Sequence, residues 1–249
     1  MSTVDKGSAL PPSVARLWES RRRVPRSSLP ELSQERIVAE AVRFADSDGL
    51  AKLSMARLAE RLGCATMSLY RHVATKDDLL VFMLDTAYGK PPFPETPVEN
   101  WRAGLERWTT ELLAVYRRHP WMLQIPTAGP PLEPGQLSWM ECGLQMLHST
   151  GLSATEKFSV VLLMNGYVHA GTKLSTAALQ LPGDDGATMP QYGRLLAKLV
   201  DADHFPVLSE LITAGVIDAP TDEFVFGLQR VLDGVEVMVN ARQESPGAS

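Results

Sequence analysis

Hydrophobic residues recur every three to four positions along most of the chain, which is the spacing of one face of an α-helix. The first such segment carries Ile37, Ala41 and Phe44 and begins at Ser33, whose hydroxyl can cap the helix. Gly49 follows and supplies the left-handed conformation that ends many helices. The pattern therefore predicts a first helix between Ser33 and Gly49.

Three further helices are predicted in quick succession. One begins at Ser54 and ends where Gly63 turns the chain. A longer one begins at Thr75, with Asp78 three residues later, and reaches about residue 87. Between them there is room for a short helix of barely two turns.

Helical patterns continue beyond a Pro-rich connector at residues 89–97. They cover residues 98–118, 120–124, 134–150, 153–180, 190–202, 205–214 and 221–241. The sequence shows no convincing strand alternation, glycine-rich phosphate motif or internal repeat, so the predicted fold class is all-α. The predicted divisions are a basic, flexible N-terminal arm at 1–31, a helical domain at 32–89, a larger helical domain at 98–241 and a flexible tail at 242–249.

Composition fits this picture. The 249 residues are 45% hydrophobic and 21% charged, which is ordinary for a globular protein with a real core. No apolar run approaches the roughly 18 residues of a membrane span, and the N-terminus lacks a secretory apolar segment, so we expect a cytoplasmic protein without a membrane partner. Cys64 and Cys142 lie far apart without His or Cys neighbours, which favours two buried or half-buried thiols and no metal site.

The net charge of −5 is unevenly distributed. Residues 1–89 carry 13 Lys and Arg against 11 Asp and Glu, whereas the rest carries 11 against 18. A polyanionic partner would therefore bind at the N-terminal end. Arg21, Arg22, Arg23 and Arg26 cluster there among Ser and Pro, as in arms that bind nucleic acid, although a solvated tail would have the same composition.

The short helix has an inner and an outer face. At 100° per residue, Ala65, Leu69 and Val73 face the first two helices, whereas Met67 and Arg71 point the opposite way. A second helix that presents polar and basic groups after a Gly turn is typical of a helix-turn-helix, whose second helix enters the DNA major groove. By shape alone, an ordinary helical corner with solvated polar residues would be the better interpretation, because the helix-turn-helix shape is common.

The identities of the residues in this region favour the helix-turn-helix over the ordinary helical corner. Residues 32–84 contain Asp48-Gly49-Leu50, Leu53-Ser54-Met55, Leu58-Ala59, Leu62-Gly63, Ser68-Leu69-Tyr70-Arg71-His72-Val73, Lys76 and Leu79-Leu80. Together they strongly resemble the DNA-binding domain of the TetR family of bacterial transcription regulators. The resemblance implies an N-terminal three-helix helix-turn-helix domain followed by a larger helical domain for ligand binding and dimerisation.

The same resemblance assigns DNA contacts residue by residue. It gives base or near-base contacts to Thr66, Met67, Ser68, Arg71 and His72. Phosphate contacts fall to Ser54, Tyr70 and Lys76, with Arg57 as a further candidate. The basic composition of the arm, and not the resemblance, makes Arg21, Arg22 and Arg23 further DNA-binding candidates. Ala56 lies where tetracycline repressor has a base-contacting basic residue, which suggests a different operator.

The C-terminal half resembles the family more faintly, at residues 222–239. Family resemblance implies that this helix and the helix at 153–180 form a four-helix bundle between two identical subunits. Large apolar side chains with a few polar ones favour a ligand cavity. The first candidates to line it are Trp108, Met122, Met140, Asn165 and His169.

The effector is expected to be small and largely apolar. Pro126 occupies the position of a His that holds the metal-bound drug in tetracycline repressor, and proline cannot ligate a metal. The resemblance implies a repressor that binds a palindromic operator as a homodimer without a cofactor. The alternatives are a regulator without an effector and, from another class, a small-molecule enzyme with a vestigial DNA-binding domain, although the sequence has no nucleophile elbow or zinc motif.

Overall fold

The computed structural model describes residues 10–22, 32–92, 100–126, 130–178, 189–217 and 223–244. Within these ranges the regular structure is entirely helical. The α-helices are α1 (Pro12–Arg22), α2 (Gln34–Asp48), α3 (Met55–Leu62), α4 (Thr66–Tyr70), α5 (Lys76–Tyr88), α6 (Trp101–Arg118), α7 (Pro134–Met146), α8 (Ala154–Ala178), α9 (Met189–Leu199), α10 (Pro206–Thr213) and α11 (Glu223–Glu244). Short 3-10 turns cover Leu50–Lys52 and Pro120–Gln124. The all-α fold is thus confirmed.

Three predicted helix starts are confirmed by their caps. The side chains of Ser33, Ser54 and Thr75 each accept a hydrogen bond from the backbone N–H three residues later, at 3.2, 3.3 and 3.0 Å. Each cap satisfies an amide at the helix start that has no partner within the helix. These local signals fix where α2, α3 and α5 begin.

The two glycines that end α2 and α3 behave differently. Gly63 adopts the left-handed conformation, with φ 66° and ψ 33°. Gly49 has a positive φ of 85°, but its ψ of 150° lies outside the left-handed helical region that was predicted. The reason is local, because the chain after Gly49 enters the 3-10 turn Leu50–Lys52. Both positions still favour glycine, since a Cβ is strained at positive φ.

The predicted flexible arm is wrong for residues 12–22, which form α1. Val14 and Leu17 are buried, and the Trp18 indole Nε1 donates to the Leu132 carbonyl oxygen at 3.0 Å. Arg16 lies 4.0 Å from the Asp78 carboxylate of α5. The apolar side chains between the charged ones thus find a surface to bury against. Residues 1–9 and 23–31 lie outside the described part of the chain.

The predicted boundary at residues 89–97 is not where the packing divides. The chain separates into two compact units, Met1–Val161 and Leu162–Ser249, so the division falls within α8. The helix-turn-helix elements and α5 therefore share one unit with α6 and α7. The predicted tail also begins later, since residues 242–244 belong to α11 and 245–249 are outside the described residues.

Polar contacts between α5 and α6–α7 explain this packing. The Trp139 indole Nε1 donates to the Tyr88 carbonyl oxygen at 2.9 Å, and the hydroxyls of Tyr88 and Tyr116 lie 2.8 Å apart. The amide of Gly135 donates to Asp85 Oδ1 at 2.5 Å. A Cβ on Gly135 would lie 2.9 Å from the Asp85 carbonyl oxygen, so the close approach requires glycine. We call the contacts of Asp85 and Tyr88 with α6 and α7 the α5 joint.

In the second unit, α11 packs against the C-terminal part of α8. The Tyr167 hydroxyl donates to the Phe224 carbonyl oxygen at 2.8 Å, and a Cβ on Gly227 would clash with that hydroxyl. Close packing thus justifies a mid-helix glycine that costs about 1 kcal/mol by intrinsic propensity. The buried stripe of α11 consists of Leu228, Leu232, Val235 and Val239.

Both cysteines are free thiols, as predicted, and Cys142 is buried whereas Cys64 is half-buried. Burial raises the pKa of Cys142 to about 11, so it stays protonated at neutral pH. No described helix is both long and apolar enough to cross a membrane.

Candidate nucleic-acid interface

The helix α4 is held by two buried side chains and exposes the rest. Leu69 within the helix and Val73 just after it have no exposed surface, as predicted. The helix itself is shorter than expected, only Thr66–Tyr70, because the chain leaves the helical path after Tyr70. Ala65 is exposed at the N-cap and does not face inward. A five-residue helix with two such anchors is fixed in place without covering its outer face.

The outer face carries large side chains that no core contact explains. Met67 is 74% exposed and Tyr70 is 42% exposed. Arg71 is also exposed, and its Nη2 donates to the Ser68 hydroxyl at 3.1 Å, which holds the guanidinium beside the helix. Thr66, Ser68 and His72 are half-buried on the edges of this face. Together these residues present donors and apolar surface in the combination used to read base edges.

Predicted phosphate contacts lie at the starts of the flanking helices. Ser54 Oγ caps α3 by accepting from the Arg57 amide, and its own O–H remains available to donate. Lys76 is exposed at the first position of α5. Arg57 is exposed, and its Nη1 donates to the Lys52 carbonyl oxygen at 3.3 Å. Helix N-termini favour anions, so both positions suit phosphate oxygens.

Arg61 fastens α3 to α2 and so orients α4. Its guanidinium lies 3.2 Å from Asp48 and 3.7 Å from Glu40, and it stacks 4.6 Å from the centre of the Phe44 ring. A hydrogen bond from the Ser47 hydroxyl, and then the charge of Arg61, hold the pKa of Asp48 below its usual value. The carboxylate thus stays ionised, and the attachment persists over a wide pH range.

The N-terminal arginines that were predicted to bind DNA are far in sequence from the outer face of α4. Arg21 Nη1 donates to the Ser138 hydroxyl of α7 at 3.0 Å, so Arg21 packs against the protein instead of extending as part of a free arm. Arg22 is exposed at the end of α1. Arg23 and Arg26 lie outside the described residues. A DNA contact by any of them stays a prediction.

The residues predicted to line an effector site have varied environments. Trp108 is fully buried, and its Nε1 donates to the Trp139 carbonyl oxygen at 2.9 Å, which is a core role. Met122 is also buried, whereas Met140 and Asn165 are half-buried and His169 is exposed. Because Asn165 and His169 belong to the second unit, their part in a common cavity stays a prediction. No group of three metal-ligating side chains occurs among the described residues.

One cavity of about 210 Å³ lies beside the α5 joint. It is lined by the end of α5, the start of the connector, one side of α6 and one residue of α7, namely Ala87, Tyr88, Gly89, Lys90, Pro92, Glu111, Ala114, Val115, Arg118 and Trp139. The volume is below the roughly 300 Å³ at which sites for drug-sized ligands begin. This cavity includes none of the five predicted effector residues.

Sequence reasoning missed two features of this region. Lys52 is an exposed cation two residues before the Ser54 cap, a position that made it a further candidate for a phosphate contact. Asp46 of α2 accepts hydrogen bonds from His119 and Trp121, more than seventy residues away. No local pattern signals a contact of that kind.

Two family models match the chain. The model for bacterial regulatory proteins of the tetR family matches residues 37–81, which include α3 and α4. The model for the tetracyclin repressor-like C-terminal domain matches residues 93–239, more than half of the chain. The start of the first match lies after α1, so α1 precedes the part that the family model covers.

Relatives agree with the family models. The chain is 38% identical over 235 residues to the HTH-type transcriptional repressor DrrR1 of Streptomyces coeruleorubidus, covering 91% of this chain and 86% of that protein. Apo ActR of Streptomyces coelicolor has a TM-score of 0.71 at 26% identity over 86% of this chain and 99% of that one. ActR in complex with actinorhodin has a TM-score of 0.70 at 28% identity over 85% and 99%. The chain therefore belongs to the TetR family of bacterial transcriptional regulators.

Proposed function

We propose that this regulator is a repressor that binds a near-palindromic operator as a homodimer and is released by a small, largely apolar effector. The observation that carries the proposal is α4, a short helix with buried anchors and an exposed face of Met67, Tyr70 and Arg71. A regulator that binds chromosomal operators acts in the cytoplasm, so we propose that location for this protein.

The DNA-binding part rests on complementarity between α4 and a major groove. The groove accepts one α-helix, and the exposed Arg71 can donate in bidentate fashion to guanine acceptors. Tyr70, Ser54 and Lys76 can contact phosphates on either side, which sets the register without reading sequence. Met67 adds apolar surface suited to a thymine methyl group. Each of these assignments predicts a separable effect on affinity or specificity.

The homodimer rests on apolar surface in the second unit that one subunit leaves exposed. Leu162 and Leu163 of α8 are 45% and 55% exposed, and Phe226 and Val237 of α11 are 65% and 69% exposed. Burying such side chains contributes about 1.5–3 kcal/mol each, which favours association of these helices with a second copy. A two-fold dimer then places two copies of α4 about one DNA turn apart.

The effector part rests on the similarity to ActR, which has a structure in complex with actinorhodin and which this chain matches over 99% of the ActR chain. Actinorhodin is therefore the first probe for this protein. A ligand releases DNA only through its different affinities for the bound and released states. A regulator without any effector would bind the operator equally well in the presence of every compound tested.

The decisive experiment combines selection of DNA with a matched pair of variants. The purified protein selects duplexes from random sequence, and its affinity for the selected duplex is measured by fluorescence anisotropy across a salt series. We expect a palindromic consensus and affinity that falls steeply with salt. The double variant Arg71→Ala with Tyr70→Ala should lose at least about fivefold in affinity, since a bidentate base contact alone is worth about 1–3 kcal/mol.

The control is Arg117→Ala with Tyr192→Ala. It removes the same two residue types, both exposed, from α6 and α9. This control should keep the affinity of the unchanged protein. Binding that survives the α4 double variant, or that falls equally in both double variants, would contradict the proposed role of α4. Adding actinorhodin to the complex then tests the effector part separately.

A further inference from the structure

Asp46, on α2, is bonded to the turn that follows α6. Its Oδ1 lies 2.7 Å from His119 Nδ1 and 2.6 Å from the Trp121 indole Nε1. An ionised carboxylate can only accept, so both nitrogens carry the hydrogen. The His119 and Trp121 rings also meet edge to face, with centroids 5.8 Å apart. One carboxylate oxygen thus holds the Trp121 ring of the turn Pro120–Gln124 and the His119 ring directly before that turn.

The two donor rings lie largely out of solvent, whereas Asp46 itself is exposed. The Trp121 side chain is 1% exposed, and the side chains of His119 and Asp46 are 11% and 31% exposed. Hydrogen bonds to a charged group are about twice as strong as neutral ones. Losing the shared acceptor would leave two shielded donors without it, at a cost of their desolvation. The turn and α2 are therefore expected to move together.

The connection continues from α2 to the DNA-reading helix. Asp48 and Glu40, on the same helix as Asp46, hold Arg61 of α3. The recognition helix α4 follows α3 after a turn at Gly63. A contiguous set of packed and polar contacts therefore runs from the turn after α6 to α4. It does not pass through α5, which directly follows α4 and offers the other route.

We infer that Asp46 is a positioning residue for the effector response, which transmits movement of the Trp121 turn to the recognition helix through α2. The inference rests on the proposed function. Met122, a predicted effector contact, is the next residue in the same turn, so an effector that displaces Met122 would also displace Trp121. The displacement of Trp121 is then transmitted to Asp46 through their hydrogen bond, and α2 tilts together with α3 and α4.

Reciprocity of coupling makes the inference testable without knowledge of the effector. If the state of the turn changes the affinity for DNA, then binding of DNA must change the state of the turn by the same free energy. The environment of Trp121 is therefore expected to respond when operator DNA binds at α4. A contact that only stabilises the fold would show no such response.

The experiment uses the full-length protein labelled with 5-fluorotryptophan and observed by fluorine NMR. The chain has five tryptophans, so the spectrum is simple, and the Trp121 signal is assigned by its absence in Trp121→Phe. The added probe is the duplex that the purified protein selects from random sequence. We expect saturating duplex to shift the Trp121 signal in the unchanged protein. A Trp121 signal that stays in place while the duplex binds would overturn the inference.

Three variants then assign the response to Asp46. In Asp46→Ala most of the duplex-induced shift should be lost, because the turn is no longer bonded to α2. Asp46→Asn keeps an acceptor oxygen and should restore most of the shift, and Glu35→Ala, which removes an exposed acid from the first turn of α2, should leave it unchanged. An undiminished shift in Asp46→Ala would also overturn the inference. If that variant does not fold, the measurement on the unchanged protein still decides.

The two possible failures are distinguishable. If no duplex is selected, the proposed DNA-binding function fails, and the role of Asp46 fails with it. If a duplex is selected and bound but the Trp121 signal does not respond, only the role of Asp46 fails.

Discussion

The helix α4 and the α5 joint use polar side chains in opposite ways. On α4, Arg71, Tyr70 and Met67 are exposed, and only Leu69 and Val73 hold the segment in place. At the joint, the polar groups of Tyr88 and Asp85 form hydrogen bonds with partners within the protein. No buried side-chain nitrogen or oxygen in the described part of the chain lacks a partner. Substitutions on α4 should therefore change DNA binding, whereas substitutions at the joint should change stability.

The largest expected effect comes from the joint. Trp139→Ala removes a ring that is 3% exposed and the donor to the Tyr88 carbonyl oxygen, so the free energy of unfolding should fall by about 3–5 kcal/mol. Urea denaturation followed by circular dichroism measures this. Trp139→Phe keeps a six-membered ring but loses the pyrrole ring with its donor, so its cost should be smaller, about 1–3 kcal/mol. Equal costs for the two variants would show that the hydrogen bond, not the packing, holds the joint.

The next effect should come from α4 and appear in DNA binding alone. Arg71→Ala should weaken binding to the selected duplex by about 5- to 150-fold and relax the preference at one base pair, since a bidentate contact is worth about 1–3 kcal/mol. Its free energy of unfolding should change by less than about 0.5 kcal/mol, because the side chain is exposed. Anisotropy titrations against duplexes altered at each position locate the base. A uniform loss on all duplexes would instead make Arg71 a phosphate contact.

Much of the α4 region was predictable from the sequence because its signals are local. The caps at Ser33, Ser54 and Thr75 each act on an amide three residues away, and the spacing of Leu69 and Val73 fixes which side of α4 is buried. The resemblance of the motif then supplied candidate roles for the exposed residues. The exact end of α4 was not predictable, because local spacing does not show where the chain leaves the helix.

The joint and the α1 helix were not predictable, because their contacts connect distant parts of the chain. Asp85 and Gly135 are 50 residues apart, and Trp18 and Leu132 are 114 apart. In α1 the apolar Val14 and Leu17 lie near a run of arginines, so the composition alone favoured a solvated arm. The segment forms a helix because it packs against the rest of the protein. The pattern of residues within the segment does not show the surface against which it packs.

A smaller effect should separate the two roles of Ser54. Its Oγ caps α3, whereas its O–H is the predicted donor to a phosphate. Ser54→Asp keeps a good cap and places a negative charge at the DNA face, so it should preserve stability and weaken DNA binding about tenfold or less. Ser54→Asn, which also caps well but is neutral, serves as the control in thermal melts and anisotropy. If both variants bind the duplex equally well, Ser54 does not lie near a phosphate.

The smallest effect concerns pH, and it should have opposite signs in the two regions. Burial raises the pKa of Asp85 at the joint, although the Gly135 amide and Arg21 oppose the rise. A carboxyl whose folded pKa is raised contributes stability at low pH and loses it as the pH rises through that pKa. Asp85→Asn keeps an acceptor for Gly135 and avoids that loss. It should therefore be more stable than the unchanged protein at neutral pH, by less than about 1 kcal/mol.

The matching carboxylate near α4 is Asp48, whose pKa is lowered by the Ser47 hydroxyl and then by Arg61. The contribution of Asp48 to the free energy of unfolding is present above the ordinary pKa of an aspartate, and it is lost as the pH falls through the lowered pKa. Asp48→Asn should therefore be the less stable protein at neutral pH, and both variants should converge on the unchanged protein in acid. Urea denaturation at neutral pH, at about pH 4 and at about pH 3 measures both differences in stability, and the Asp48 difference should begin to close only below about pH 4. If the difference in stability between either variant and the unchanged protein grew as the pH fell, ionisation of that aspartate would not be what distinguishes the two regions.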